Sequence, residues 1–367
     1  MKIKKDILII CSSLNYPGGI ERSIVNIANL MDENEHSVTI LILDNKQKSY
    51  YTLNENINLY NKDFNFGITN QGNILSRKFS FIRNIYHLRK FIININPDIV
   101  LSTEYHLSIV SWIATYQLKV KVISREAHQY YWIKKNKFWT LLYNYVYPKL
   151  AYVVCLNEYE EKFYKKMGCR TKVIFNFLNK KLSNIKKTDK KKVILTVGWL
   201  IKRKGVDLIP EIASLVFSES SNWHWKIIGK GPEYNDINRS LEAKNINKYV
   251  SIIPPVSEDS IYKYYSEASV YVLTSRSEGF PNVLMEAMAF STPCISFNCP
   301  SGPSDILSNG IDGILVESEN IIQISNAIIS LIKNDNLRIQ MGEKAYLNIQ
   351  RFSNNKAYQL WEQIFNS

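Results

Sequence analysis

The sequence predicts an α/β protein of two doubly wound domains, and three observations carry that reading. Short apolar runs alternate with segments whose apolar residues recur at helical spacing, the pattern of parallel strands joined by crossover helices. At 367 residues the chain is long enough for two cores of ordinary size. Its charge divides in the same way: residues 1–192 hold 31 Lys+Arg against 15 Asp+Glu (+16), and residues 193–367 hold 15 against 18 (−3), which sum to the net +13 of the chain. The basic half should seek an anionic partner. With 46% apolar residues, neither half needs to be disordered. No run reaches the roughly 18 uncharged apolar residues of a membrane span. The basic start, Met1 to Asp6, leads only into Ile7–Cys11, which reads as a first strand and not as a signal peptide.

In order, Ile7–Ile10 is a buried strand entering Asn15-Tyr16-Pro17-Gly18-Gly19, and Ile20, Ile24, Ile27, Ala28 and Met31 then repeat at helical spacing. The glycines let another group approach the backbone at a helix start, although most such pairs make only a turn. Further strands are expected at Val38–Leu43, Pro97–Leu101, Val120–Ser124, Ala151–Leu156 and Lys172–Phe175. His106 and His128 lie just beyond strand ends, where open α/β sheets take their ligands. A single His is more often structural than functional, and the residues alone leave the choice between the two open.

Two segments of this half carry no acid. Ser76–Ile93 reads as a basic amphipathic helix, with Arg77, Lys78, Arg83, Arg89 and Lys90 among Phe79, Phe81, Ile82, Ile85, Leu88 and Phe91. Trp132–Lys149 sets Lys137, Thr140 and Asn144 on one helical face and Phe138, Leu141, Leu142 and Tyr145 on another. Such a helix lies in a membrane interface or packs its aromatics into the domain; two acid-free segments in one domain favour the membrane. Lys180–Lys192, with seven Lys and one Asp, reads as a linker.

The second half places strands at Val193–Val197, Trp225–Ile228, Val250–Ile253, Val270–Leu273 and Cys294–Phe297. They run into Gly198–Gly205, Gly229-Lys230-Gly231-Pro232, Pro254-Pro255-Val256, Ser275–Pro281 and Cys299–Asp305 respectively. After Val270–Leu273, a loop carries Glu278 and Gly279, and Pro281 and Asn282 open a helix, Pro pre-set for a first turn and Asn for a cap. The N–H groups of Phe280, Asn282 and Val283 then make a ready anion site between two carboxylates, Glu278 and Glu286. Amphipathic helices follow at Ile321–Ile332 and Leu337–Ile349. Five cysteines without a C-x-x-C pair read as reduced thiols of a cytoplasmic protein, with no metal site.

The stretch Ser275–Met288 closely resembles the E-x7-E motif of retaining GT-B glycosyltransferases, glycosyltransferase family 4 in particular. The resemblance covers nearly the whole chain. It implies that Glu278 lies beside the donor sugar and that Glu286 binds the ribose of the nucleotide. Gly18-Gly19-Ile20-Glu21 matches the family's Gly-Gly-x-Glu entry, which turns Gly19 to the interdomain cleft. Gly198–Gly205 resembles the Gly-Arg-Leu…Lys-Gly loop that holds the diphosphate: Lys204 fits, while Trp199 stands where Arg is usual, leaving Arg203 or Lys202 to supply that charge. Val256 falls in the loop that holds the nucleobase, His128 near the family's functional histidine, and Ser291 where Gly is common. The last helix is expected to cross back, giving domains 1–182 and 183–350 and a tail 351–367.

The resemblance further implies retention of configuration, a UDP-sugar donor, no cofactor and no metal. No two Asp stand two apart, so the Asp-x-Asp clamp of GT-A sugar transferases is missing. The expected acceptor is a lipid-linked glycan or oligosaccharide, met at an anionic membrane surface on the cytoplasmic side during capsule or O-antigen assembly. Two rivals are a GT-B nucleotide-sugar epimerase and a non-enzymatic basic protein binding membrane or nucleic acid. No recognised nucleic-acid motif accompanies the basic residues, so no nucleic-acid partner is expected.

Overall fold

The computed structural model describes residues 3–44, 48–64, 66, 74–126, 135–178, 182 and 189–367, with 74–78 described by backbone alone. The chain divides into two compact units, Met1–Phe175 with Ala357–Ser367, and Asn176–Lys356. In the first, β1 (Asp6–Cys11), β2 (Ser37–Ile42), β3 (Asn58–Asn61), β4 (Ile99–Ser102), β5 (Lys121–Arg125), β6 (Tyr152–Cys155) and β7 (Thr171–Val173) form one sheet in the order β3-β2-β1-β4-β5-β6-β7. In the second, β8 (Val193–Val197), β9 (His224–Ile228), β10 (Val250–Ile253), β11 (Val270–Leu273), β12 (Cys294–Phe297) and β13 (Gly313–Val316) are ordered β10-β9-β8-β11-β12-β13. Both are doubly wound α/β folds, as expected.

Every pairing between these strands is parallel. All strands of a unit therefore end at one edge of the sheet, and the loops that follow gather there. The strand order reverses between β1 and β4 in the first unit and between β8 and β11 in the second, the points where such sheets bind ligands. The central strands are covered on both faces, so Ile7 to Cys11 and Val270 to Leu273 are almost wholly inaccessible. β3 and β13 carry no strand assignment in the sequence reading, and both are edge strands. β3, Asn-Leu-Tyr-Asn, has no buried residue, because an edge strand needs no apolar run.

The division falls after Phe175, where the sequence placed it after residue 182. Asn176 and Leu178 are already bonded into the second unit: Asn176 Nδ2 donates to the carbonyl of Phe280 (3.1 Å), and the Leu178 N–H to that of Phe352 (3.2 Å). Of the expected linker, residues 180, 181 and 183–188 lie outside the described residues. The final helix, Asn354–Phe365, packs with the first unit through a Tyr358 Oη–His36 Nε2 bond (3.0 Å) and a Lys121 ammonium on the Phe365 carbonyl (3.1 Å).

Helices Ile74–Ile95 and Lys137–Val146 each leave an apolar face outward. Phe79, Ile82, Tyr86, Phe138, Leu141 and Tyr145 are all more than half exposed. The second helix buries Trp139, Tyr143 and Val146 instead, a split the sequence reading did not draw. Among the described residues, no helix is long and apolar enough to cross a membrane.

Ser291, just past the helix Asn282–Ala289, has φ +54°, so a side chain stands where the backbone favours glycine. Ser291→Gly relieves about 1–2 kcal/mol of left-handed strain and adds about 0.4–1 kcal/mol of unfolded-chain entropy. Urea unfolding should show a net gain of up to about 1.6 kcal/mol with an unchanged m-value; a loss of stability would mean the serine side chain contributes more than its strain costs.

Candidate active site

The site is built on the two strands that flank the second unit's switch point. β11 delivers Thr274 and Ser275 to the carboxyl edge; an irregular turn, Arg276–Pro281, then leads into the helix Asn282–Ala289. The expectation that Asn282 caps this helix is corrected. Pro281, with extended backbone (φ −74°, ψ 104°) and no side-chain cap bond, is the capping position, and Asn282 is the first helical residue. The opening turn of any helix presents N–H groups that its own carbonyls do not take, with about half a positive charge from the aligned peptide dipoles. Asn282 and Val283 occupy that turn and remain partly accessible.

Glu278 is buried in the turn. Its Oε1 accepts from the Lys204 ammonium (2.6 Å) and from Ser275 Oγ (2.6 Å), while Ser301 Oγ donates to its main-chain carbonyl (3.0 Å). Lys204 comes from the loop after β8, where Lys202–Lys204 make a tight turn ending at Gly205 in the left-handed region (φ +63°). A Cβ on Gly205 would lie 1.8 Å from the Thr274 carbonyl oxygen. Only glycine lets the two loops close to this distance, and Thr274 Oγ1 then donates to the Lys204 carbonyl (2.9 Å). Glu286 lies inside the helix and is buried.

The loop after β12 closes the other side. Gly302 has φ +95°, and a Cβ there would meet the Gly279 carbonyl and Pro281 Cδ at 3.0 Å each. Phe280 faces inward, its ring edge-on to Phe352 at 5.3 Å. At Trp199, where the resemblance expects Arg, the Lys230 ammonium stands over the indole ring at 5.5 Å. Lys202 and Arg203 are exposed, and the Arg203 carbonyl accepts from the Arg276 N–H (2.9 Å). Val256, half-buried, follows β10, two strands away from β8 along the same edge.

Lys204, Glu278, Gly279, Pro281 and the Ser301–Gly302 loop are thus in direct contact, with Asn282 and Val283 at the helix mouth beside them. Ser275, and Arg276 with the Asp207 carboxylate that its guanidinium binds, are the contributors that sequence reasoning did not assign. Only the position of Ser275, three residues before Glu278, offered a local signal for any of them. His128 and its neighbours 127–134 lie outside the described residues. His106 is buried beside Glu104, its Nε2 3.5 Å from Oε2; burial lowers its pKa, and the carboxylate opposes that shift.

Gly19 belongs to the first unit, where it opens the helix Gly19–Glu33 after β1. A Cβ on Gly18 would sit 2.0 Å from Glu21 Oε2. The Gly-Gly-x-Glu pattern therefore has a packing reason: the Glu21 carboxylate folds over the first glycine, and burial raises its pKa. Across this unit's switch point, the Ser12 N–H donates to Glu104 Oε1 (3.2 Å). Among the described residues, no group of three His, Cys, Asp or Glu is placed to hold a metal ion, and the five cysteines are free and buried.

Comparison with known proteins fits this geometry. Residues 17–181 match the family described as Glycosyltransferase Family 4, and residues 179–348 match Glycosyl transferases group 1. The chain is a GT-B glycosyltransferase of that family 4 and group 1 relationship. It is similar to an uncharacterized glycosyltransferase of Haemophilus influenzae, 26% identical over 95% of this chain and 96% of the relative. At 26% identity over 92% of both chains, it is also similar to a Campylobacter jejuni enzyme, the GalNAc-alpha-(1->4)-GalNAc-alpha-(1->3)-diNAcBac-PP-undecaprenol alpha-1,4-N-acetyl-D-galactosaminyltransferase. The fold superposes on a mutant of S. aureus TarM, solved with Fondaparinux, alpha-GlcNAc-glycerol and UDP. That match has a TM-score of 0.82 at 16% identity and covers 99% of this chain and 100% of the other.

Gly205→Ala tests the closure on which the site depends. Left-handed strain alone costs about 1–3 kcal/mol, and the clash with Thr274 adds to it. Thermal unfolding should therefore show a loss of at least about 2 kcal/mol. A loss below about 0.5 kcal/mol, the scale of an ordinary surface change, would mean the two loops are not held this closely.

Proposed function

We propose that this protein transfers a hexose or N-acetylhexosamine, with retention of configuration, from a UDP-sugar to a lipid-linked or oligosaccharide acceptor in bacterial surface-polysaccharide synthesis. The observation that carries the reading is the pairing of half-buried Lys204 with buried Glu278, set at the switch point beside a helix N-terminus. As the sugar–phosphate bond breaks, positive charge grows on the sugar ring and negative charge on the departing diphosphate. Lys204, Arg203 and the turn at Asn282–Val283 hold that leaving charge, in a site already organised to receive it. Glu278 positions the sugar and Glu286 the ribose hydroxyls; backbone groups at Val256 hold the base. Gly279, Phe280 and Pro281 shape the wall of the donor pocket. Gly19 lets the donor approach the backbone at the start of its own helix, and His128 takes the acceptor or a sugar hydroxyl. The C. jejuni relative, named for an undecaprenyl-diphosphate-linked glycan, supports the lipid-linked acceptor class.

Glu278→Ala should abolish transfer and leave UDP affinity largely intact, whereas Glu286→Ala should cost about 1.5–3 kcal/mol of UDP binding, the scale of a charged hydrogen-bonded contact. A thermal-shift panel of UDP-sugars without added metal finds the donor, and calorimetry with UDP compares the variants. Stabilisation only with manganese or magnesium, or equal effects of the two substitutions on UDP, would break these assignments.

The first unit supplies the reason for an anionic membrane partner, at the inner face of the cell membrane. Phe79 and Leu141 are each 70% exposed, on helices joined through the Phe81–Phe138 ring contact (6.1 Å). Residues 76–92 and 132–149 together carry nine Lys+Arg and no acid. Near an anionic leaflet each cation contributes roughly 1 kcal/mol, and the exposed rings add burial that salt does not screen. Sedimentation with anionic liposomes should weaken with salt but persist. The triple change Phe138→Ser, Leu141→Ser, Tyr145→Ser should abolish the salt-resistant part. Unchanged sedimentation of that variant would remove this helix from the membrane contact.

A further inference from the structure

The loops that carry Lys204 and Glu278 are joined a second time, by a residue that the chemistry above does not use. Arg276 stands two residues before Glu278. Its guanidinium binds Asp207, three residues after Lys204, through both nitrogens: Nη1 to Oδ1 (2.7 Å) and Nη2 to Oδ2 (2.9 Å). Nη1 also donates to the Lys202 carbonyl. Nη2 lies 3.1 Å from Glu319 Oε2. Glu319 itself adopts φ +62°, so the loop after β13 holds a strained residue where it meets this arginine.

We propose that Arg276 is a positioning residue: its fork on Asp207 fixes the spacing between the two loops and so places the Lys204 ammonium. The main chain agrees with this role. The Arg276 N–H donates to the Arg203 carbonyl and Thr274 Oγ1 to the Lys204 carbonyl, so residues 202, 203 and 204 are each tied to the β11 loop. Both terminal nitrogens of Arg276 are already committed to protein oxygens. A substrate phosphate would have to displace two carboxylates to reach them, so the residue acts through Lys204 and not on the donor. The role suits arginine, because a bidentate fork fixes distance and plane together, whereas a lysine holds a single point.

This inference rests on the reading that Lys204 holds the diphosphate, and the test separates the two. UDP affinity is measured by titration calorimetry and uridine affinity by ligand-observed NMR, for Arg276→Met, Arg276→Lys, Asp207→Asn, the R276M/D207N double variant and, in parallel, Lys204→Met. R276M and D207N should each weaken UDP about tenfold while uridine, which has no phosphate, changes less than about twofold. R276K should recover part of the loss, and the double variant should bind no more weakly than either single one, as expected of residues acting as a unit. UDP binding at the parent level in R276M, a parallel loss of uridine, or additive losses would each overturn the proposal.

If R276M does not fold, D207N and R276K carry the same comparison. Unchanged UDP binding in K204M would overturn the Lys204 assignment instead. The clamp is then read directly from a crystal structure of D207N, where Lys204 Nζ and Glu278 Oε1 should have moved beyond hydrogen-bond distance. A pair still in contact there refutes it.

Discussion

The close approach of Gly205 to the carbonyl of Thr274 is the constraint on which the site depends. No side chain fits between the loops after β8 and β11, and because none is present the loops can exchange hydrogen bonds and ions at van der Waals distance. A carboxylate as deeply buried as Glu278 costs several kcal/mol unless it is paired. The closure brings it Lys204, and its own loop brings it Ser275. The same contact thus solves a stability problem and sets a cation beside a helix mouth.

The parallel sheet turns that local solution into a site. With every strand running the same way, the loops after β8, β9, β10, β11 and β12 share one edge. Residues from 198 to 305 meet there without being neighbours in sequence. Glycine recurs at this edge for packing reasons: a Cβ on Gly229 would strike the Gly198 carbonyl, and one on Gly231 the backbone of Leu200. Gly302 does the same service beside Gly279 and Pro281.

The legibility of the sequence has its cause in this architecture. Strands buried on both faces read as apolar runs, so eleven of the thirteen strands among the described residues were legible. The polar edge strand Asn58–Asn61 was not, for want of any buried residue. The strand–loop–helix around Glu278 was legible because it is local. Lys204, 74 residues from Glu278, was placed by the family resemblance and by no local pattern, and Asp207, 69 residues from Arg276, was not placed at all, because no periodicity marks a contact of that range. The cap was misread because Pro281 and Asn282 are both good at a helix start, and only the backbone angles decide between them. On the helix Lys137–Val146, composition announced an aromatic amphipathic segment. Which ring turned inward was decided by Tyr105 and Tyr164, against which Trp139 and Tyr143 pack.

Phe280 serves both the site and the path of the chain, and that double duty has a mechanical consequence. The polypeptide passes between the two units twice, after Phe175 and after Lys356. Just past the first passage, Asn176 holds the Phe280 carbonyl; just before the second, Phe352 lies against the Phe280 ring, and Leu178 bonds to Phe352 in turn. Both crossings are therefore moored to the turn that carries Glu278. A rearrangement of that turn pulls on the two tethers at once, so a change beside Glu278 reaches the residues next to both passages together.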